Sequence, residues 1–161
     1  IPNCTAGYYH SVILARKGSD PDLAANDFVL AYNEPLSQSG WAAPQSIGIT
    51  GVSRVQTGGH AASAQAVMDG TADVAAIDAL SWHFLSRDWD KASSLTVLIT
   101  TPTTPNLPYI TALNQDANAL RHGLNRAILS LDPKDRETLQ IFGLVDIKAE
   151  KYLYFPLPPT P

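Results

Sequence analysis

Short apolar runs alternate with segments of helical periodicity along most of the 161-residue chain. Runs rich in β-branched and aromatic residues predict strands over residues 8–16, 27–33, 72–78 and 94–102. Apart from Asp73, the run over 72–78 is apolar up to its closing Asp78, as is typical of strands in the middle of a parallel sheet. The intervening segments predict helices over 39–49, 60–70 and 79–89, with a short extended piece over 53–59. This alternation is typical of an α/β fold.

The composition changes at Thr101, where "TPTTPNLP" carries three prolines in eight residues. Such a stretch predicts an extended connector between structural units. Beyond it the pattern predicts a short strand over 109–113 and an amphipathic helix over 115–131. A second helix is predicted to open at Asp132-Pro133, and residues 151–161 form a terminal tail. The sequence therefore predicts a compact α/β lobe before Thr101 and a separate structural part after it.

Composition and charge narrow the function classes. Apolar residues make up 45% of the chain and charged residues 16%, which is typical of a folded globular protein. The net charge of −4, with only eleven scattered Lys and Arg residues, argues against a nucleic-acid partner. No apolar run approaches the roughly 20 residues of a membrane span.

The remaining compositional signals concern cysteine, histidine and the first residue. The single Cys4 cannot form an internal disulfide, so a free thiol and a pairing with a cysteine outside this sequence both stay open. The four histidines show no paired ligand spacing, so neither a metal site nor a cofactor is expected. Because the first residue is Ile, we expect a fragment or a processed product, and the sequence carries no information on a signal peptide.

Polar residues follow several of the predicted strands and make a candidate anion site. Ligands bind outside the carboxyl ends of strands in open α/β sheets, so these loops are predicted to share one crevice. Helix N-termini present unpaired N–H groups and a partial positive charge, and hydroxyl, amide and imidazole groups add further donors. An Asp cannot hold an anion, but it can accept from an amine or hydroxyl of a ligand. The residues concerned are Ser37, Gln38 and Ser39, then Gly58, Gly59 and His60, and finally Asp78.

Each of these residues also has a purely structural explanation. Ser37 or Ser39 can serve as a plain helix N-cap, and so can Asp78. His60 is explained equally well as a cap or a surface residue. Tyr8 and Tyr9 are by default strand residues on alternate faces, one buried and one not. Only the coincidence of three such loops favours a binding site.

At these residues the sequence resembles the phosphate/phosphonate-type periplasmic substrate-binding proteins of ABC transporters. The resemblance rests on "YYHSVILARKGS", "LAYNEPLSQSGW", "TGGHAASAQAVMDGTADVAAID" and "TPTTPNLPYIT". It implies a type II periplasmic-binding-protein fold, in which two α/β lobes are joined by crossover strands, here "YYHSVILAR" and "LTVLITT". Residues 13–97 would form the continuous lobe. Residues 1–12 and 98–161 would form the crossovers and the C-terminal portion of the second lobe, whose N-terminal half is absent.

The resemblance also implies roles for individual residues. Ser37, Gln38, Ser39 and His60 would grip the oxygens of a phosphonate or phosphate, and Tyr9 or its neighbour Tyr8 would line the hinge side of the cleft. Asp78 would bind a second ligand group such as an amine. Gln38 departs from the Ser-Thr-Ser-Gly pattern of the family, because a longer amide replaces a hydroxyl. This departure leaves the identity of the ligand open.

The expected function is the solute-binding component of an ABC transporter, which takes up a small oxyanion such as phosphate, phosphite or a phosphonate. Such a protein is not an enzyme. It would be periplasmic or membrane-anchored on the extracytoplasmic side, with an ABC permease as its partner. The alternatives are a ligand-sensing input domain of a signalling protein and a hydrolase using Ser37 and His60. An incomplete second lobe would expose apolar surface and favour self-association.

Overall fold

A computed structural model of the protein describes residues 4–153 and 158–159. Its centre is a five-stranded sheet of order β4-β3-β5-β2-β6, and a separate two-stranded ladder pairs β1 with β7. The strands are β1 Tyr8–Tyr9, β2 Ser11–Arg16, β3 Val29–Tyr32, β4 Ser53–Gln56, β5 Val74–Asp78, β6 Leu95–Thr100 and β7 Thr104–Pro105. The α-helices are α1 Ala43–Ser46, α2 His60–Asp69, α3 Ala79–Asp88, α4 Ala117–Ser130, α5 Pro133–Leu139 and α6 Ala149–Leu153.

The sheet contains both parallel and antiparallel strand pairs. β5 lies in the middle, as predicted, and it pairs parallel to β3. On its other side it pairs antiparallel to β2, which in turn pairs antiparallel to β6. The α/β fold predicted from the sequence is therefore confirmed, with one strand, β2, running against the other four.

Burial of both sheet faces explains the apolar runs. Along β2, Val12 and Leu14 contribute to one core cluster with residues of α2, whereas Ile13 and Ala15 contribute to a second cluster on the other face. Successive strand residues point to opposite faces, so a strand covered on both sides must be apolar at every position. Gly70 ends α2 in the left-handed conformation, with φ of 77°.

The strand predicted over residues 8–16 is divided at His10. Before this point the chain pairs with β7, where Tyr9 lies opposite Thr104, and after it the chain enters the five-stranded sheet, where Ser11 lies opposite Asp78. The chain returns along β6, and Thr101 donates its N–H to the carbonyl of Ser11. Two adjacent strands therefore leave the sheet together at the same edge.

The helix predicted over 39–49 begins as a π-helical turn at Gln38–Ala42 and continues as α1 to Ser46. The N–H groups of Trp41 and Ala42 both donate to the carbonyl of Ser37, and the second of these bonds spans five residues. The widened turn lets Ser37, Gln38 and Ser39 present their side chains at the very start of the helical segment.

The part after Pro105 packs sparsely. The strand predicted over 109–113 is wrong, because these exposed residues have no neighbouring strand in the described part of the chain. The predicted helices are confirmed as α4 and α5, and the tail begins as α6, with residues 154–157 and 160–161 outside the described ranges. Many large apolar side chains are exposed here, including Leu107, Tyr109, Ile110, Leu113, Leu120, Leu129, Leu139, Phe142, Val145 and Leu153. The division at residues 13 and 97 and the self-association remain proposals.

Across the described residues, no helix combines the length and apolar character needed to cross a membrane.

Candidate oxyanion site at the carboxyl edge of the sheet

Three parallel strands bring the predicted loops to one edge of the sheet. β3 pairs parallel to both β4 and β5, so their carboxyl ends lie side by side. Ser37 to Ser39 follow β3, His60 follows β4, and Asp78 closes β5. The loop after β4 is joined to the loop after β3 by a bond from the N–H of Gly58 to the carbonyl of Asn33, 2.9 Å long.

Ser37 is the N-cap of the helical segment. Its hydroxyl accepts a hydrogen bond from the N–H of Gly40 at 3.0 Å, which is ordinary capping geometry. The hydroxyl of Ser39 is not used for capping and lies 3.4 Å from that of Ser37. Ser37 therefore has the capping role predicted as its structural explanation, whereas the hydroxyl of Ser39 takes no part in capping.

Gly40 lets the loop after β3 approach the helical segment. A Cβ atom at this position would collide with the side chain of Asn33 and come within 3.3 Å of its backbone nitrogen. The absence of a side chain at Gly40 thus permits the close contact that holds Ser37 and Ser39 at the sheet edge.

His60 connects the loops through one ring nitrogen. Its Nε2 lies 3.2 Å from the Ser39 hydroxyl and 3.2 Å from Oδ2 of Asp78. The other oxygen of Asp78 accepts from the N–H groups of Leu80 and Ser81 and so caps α3. Asp78 therefore both caps α3 and orients His60, so its structural role does not exclude a role at the candidate site.

The surroundings of the His60 ring favour its neutral form. Burial lowers the pKa of the imidazole, and the carboxylates of Asp78 and Glu34 oppose this effect only in part. Since a carboxylate can only accept, Nε2 carries the proton, and the unprotonated Nδ1 is buried without a hydrogen-bond partner among the described residues. The cluster of Ser37, Gln38, Ser39, His60 and Asp78, named the carboxyl-edge cluster below, contains no Lys or Arg side chain.

The lowered pKa of His60 predicts a loss of stability in mild acid. The unfolded chain takes up a proton on this residue below about pH 6.5, whereas the folded protein resists protonation until the pH is lower. The free energy of unfolding should therefore be independent of this group above pH 6.5 and fall as the pH drops below it. Urea unfolding at pH 7.5 and 5.5 measures the effect.

The His60→Gln variant is the control for this prediction. Burial also lowers the pKa of His10, so the variant should retain a smaller pH dependence rather than none. An unchanged slope in that variant would contradict this account of His60.

Tyr9, and not Tyr8, joins the carboxyl-edge cluster. The Tyr9 hydroxyl donates to Oε1 of Gln38 at 2.9 Å, and its side chain is buried. Burial, followed by the charge of Asp78, raises the pKa of this hydroxyl. Tyr8 lines a separate apolar groove with Leu107 and Val145. The two neighbouring strand residues thus lie on different sides, as the alternation of side chains along a strand predicts.

Sequence reasoning missed Thr104. It lies opposite Tyr9 in the β1–β7 ladder, only 6% exposed, and its hydroxyl has no partner among the described residues. Its position in a proline-rich stretch predicts a connector. The pairing with Tyr9 joins residues 95 positions apart in the sequence. No local pattern signals such a pairing.

The described residues contain no group of three or more His, Cys, Asp or Glu side chains that could hold a metal ion. Cys4 is a free cysteine, and its sulfur lies 3.1 Å from Nδ1 of His10. Any pairing of Cys4 with another cysteine remains a prediction.

The mixed sheet, the two strands that leave it together and the polar cluster at its carboxyl edge define a class, the type II periplasmic binding proteins. Within that class, the chain belongs to the family described as the periplasmic substrate-binding proteins of phosphonate ABC transporters, whose sequence pattern matches residues 5–151. The family and fold predicted from the sequence are thereby confirmed. No curated protein gives a significant match.

Solved structures share the fold at low sequence identity. A binding-protein component of an ABC phosphonate transporter from Pseudomonas aeruginosa aligns with a TM-score of 0.66 at 21% identity, covering 84% of this chain and 50% of its own. PhnD1 from Prochlorococcus marinus, in complex with methylphosphonate, aligns with a TM-score of 0.67 at 18% identity, with coverages of 91% and 64%. A Xanthomonas citri protein bound to chloride gives 0.68 at 18% identity, with 91% and 62%. The chain thus spans half to two thirds of the length of these proteins.

Proposed function

We propose that the protein binds a small phosphate-, phosphite- or phosphonate-like oxyanion and delivers it to an ABC permease. Membership of a family of transporter binding proteins supports this proposal. The observation that carries it is the convergence of the Ser39 hydroxyl and the N-terminus of α2, uncapped by any described side chain, on one sheet edge, where Ser39 lies 3.2 Å from Nε2 of His60. The same family membership supports an extracytoplasmic location, periplasmic or anchored to the membrane.

The donors available to the ligand are neutral groups. The first N–H groups of α2 have no acceptors within the helix, and among the described residues no side chain caps this end. With the helix dipole they form a favourable environment for an anion. The Ser39 hydroxyl and the Gln38 amide would add directional donors. Tight binding would require closure around the ligand, because these groups lie at only one side of the cleft.

Asp78 favours a ligand with a second, cationic group. Its carboxylate is 18% exposed and lies beside the donor groups, so it disfavours a bare dianion and can accept from an amine. We propose that Asp78 contributes to selectivity among oxyanions and takes no part in holding the anionic oxygens.

The geometry of His60 argues against the hydrolase alternative. In a Ser-His-Asp triad the serine and the aspartate bind opposite nitrogens of the imidazole. One nitrogen can then accept the serine proton while the aspartate holds the N–H of the other. Here both Ser39 and Asp78 contact Nε2. Ser37 is the serine considered for that role, and its hydroxyl caps the helical segment by accepting from the N–H of Gly40. These contacts hold the side chains of the carboxyl-edge cluster in fixed positions, which suits binding and not proton transfer.

A thermal-shift screen of the protein tests the proposed function. The ligand set comprises phosphate, phosphite, sulfate, methylphosphonate and 2-aminoethylphosphonate, with chloride at matched ionic strength as the control. A ligand at a hundred times its dissociation constant should stabilise the native state by about 2.7 kcal/mol, which corresponds to a rise in Tm of several degrees.

A selective rise with one or more phosphorus oxyanions supports the proposal, and a larger rise with the aminophosphonate supports the role of Asp78. A flat response to all five oxyanions contradicts an oxyanion-binding function.

A further inference from the structure

Gln38 is held by a residue from outside its own loop. The hydroxyl of Tyr9 donates to its Oε1 at 2.9 Å, and Tyr9 belongs to β1, a strand that lies outside the five-stranded sheet. Tyr9 is only 6% exposed, whereas Gln38 is partly exposed. A buried, rigid aromatic residue therefore fixes one end of an amide that solvent can reach.

The direction of this bond determines what each group can offer to a ligand. An amide oxygen only accepts, so the hydroxyl must give its single proton to Gln38. The Tyr9 oxygen is then left with lone pairs, which cannot bind an oxyanion. The amide nitrogen of Gln38 has two N–H donors, and its orientation is set because the oxygen of the same planar group is already bound.

We propose that Tyr9 is a positioning residue, which acts on the ligand through Gln38, and that the oriented amide of Gln38 determines which oxyanions bind. This inference rests on the proposed function and assigns a specific role within that site. The bond also ties β1 to the helical segment, so the Gln38 amide is already oriented before a ligand arrives. Preorganised donors bind more tightly because less side-chain entropy is lost on binding.

The amide restricts the chemistry of the ligand. A hydroxyl at this position could either donate to a bare oxygen or accept from a protonated one, whereas the N–H groups of Gln38 can only donate. The ligand oxygen that faces Gln38 must therefore carry no proton. Sulfate satisfies this condition, and so does any phosphonate with at least one ionised oxygen. The longer side chain of Gln38 favours small anions.

A double-mutant cycle with methylphosphonate as the probe tests the role of Tyr9. Calorimetric titrations compare wild type with Tyr9→Phe, Gln38→Ala and the double variant at one pH. Loss of an oriented donor should weaken binding about tenfold in Tyr9→Phe and about tenfold to a hundredfold in Gln38→Ala. In the Gln38→Ala background, adding Tyr9→Phe should change the affinity by no more than about twofold, because the group through which Tyr9 acts is already gone.

A second readout reports on orientation without any ligand. The side-chain amide N–H signals of Gln38 in a nitrogen-15-labelled protein should shift in Tyr9→Phe, while the Gln45 amide, which donates to the Trp41 carbonyl, should keep its signals. Unchanged Gln38 signals overturn the proposed bond.

The outcomes separate this inference from the proposed function. If wild type binds methylphosphonate and Tyr9→Phe costs the same factor in both backgrounds, Tyr9 contacts the ligand directly and the positioning role is wrong. If wild type binds none of the five oxyanions of the thermal-shift screen, the proposed function is wrong and the role of Tyr9 in binding falls with it.

Discussion

Replacing Trp41 by alanine is expected to lower the free energy of unfolding by about 3–5 kcal/mol, the usual cost of removing a fully buried indole. Trp41 is 1% exposed, its ring centroid lies 4.9 Å from that of Tyr32, and the Arg54 guanidinium lies 5.2 Å from the ring. Its indole N–H donates to the carbonyl of Pro159 at 3.2 Å. The side chain therefore anchors the helical segment that begins with Ser37 to Ser39.

The expected fall in Tm is roughly 6–20 °C for a chain of this size, and thermal unfolding by circular dichroism measures it. Trp89→Ala is the matched control, since that indole is only partly buried against the core and should cost clearly less. Because Trp41 supports the carboxyl-edge cluster without belonging to it, any residual folded protein should also bind methylphosphonate more weakly. A Trp41→Ala protein as stable as Trp89→Ala would contradict the packing described.

Gln38→Glu is expected to reduce methylphosphonate binding by about 3–4 kcal/mol, the scale of two like charges about 4 Å apart near a protein surface. The substitution preserves the shape of the side chain and still accepts from Tyr9, but it replaces two donors with a negative charge. Stability without ligand should change little, because Gln38 is partly exposed. Calorimetric titration measures the loss of affinity.

Gln45→Glu is the control for added charge. Gln45 lies seven residues further along the same helical segment, about 10 Å along its axis, where physiological salt screens most of the interaction. This variant should bind methylphosphonate nearly as wild type does. Equal losses in the two variants would mean that net charge, and not position, controls binding.

The candidate site was predictable where it depends on local sequence. Apolar runs ending in polar residues locate the strand ends, and the parallel order of β3, β4 and β5 then brings Ser39, His60 and Asp78 together. Capping chemistry is equally local, so both possible roles of Ser37 and Asp78 could be formulated in advance. What the pattern could not decide was which serine would cap and which would remain free.

Features that depend on long-range pairing could not be predicted. The break at His10 arises because the strands on either side of it have different partners, and Thr104 approaches Tyr9 only through the β1–β7 ladder. The π-helical turn contains a hydrogen bond from the N–H of Ala42 to the carbonyl of Ser37, five residues earlier. The amino-acid composition of this segment does not predict such a bond. The predicted strand over 109–113 failed for the same reason, since β-propensity produces a strand only where a partner is available.

The most direct test of the central claim is a calorimetric titration of methylphosphonate into three proteins: wild type, Ser39→Ala and Ser46→Ala. The Ser39 hydroxyl lies 3.2 Å from Nε2 of His60, whereas the Ser46 hydroxyl donates to the carbonyl of Ala43 at the far end of the same helical segment. We expect Ser39→Ala to weaken binding by about 1.5–3 kcal/mol, as loss of a hydrogen bond to a charged group does. Ser46→Ala should bind as wild type does. Equal affinity of Ser39→Ala and wild type would show that the carboxyl-edge cluster is not the oxyanion site.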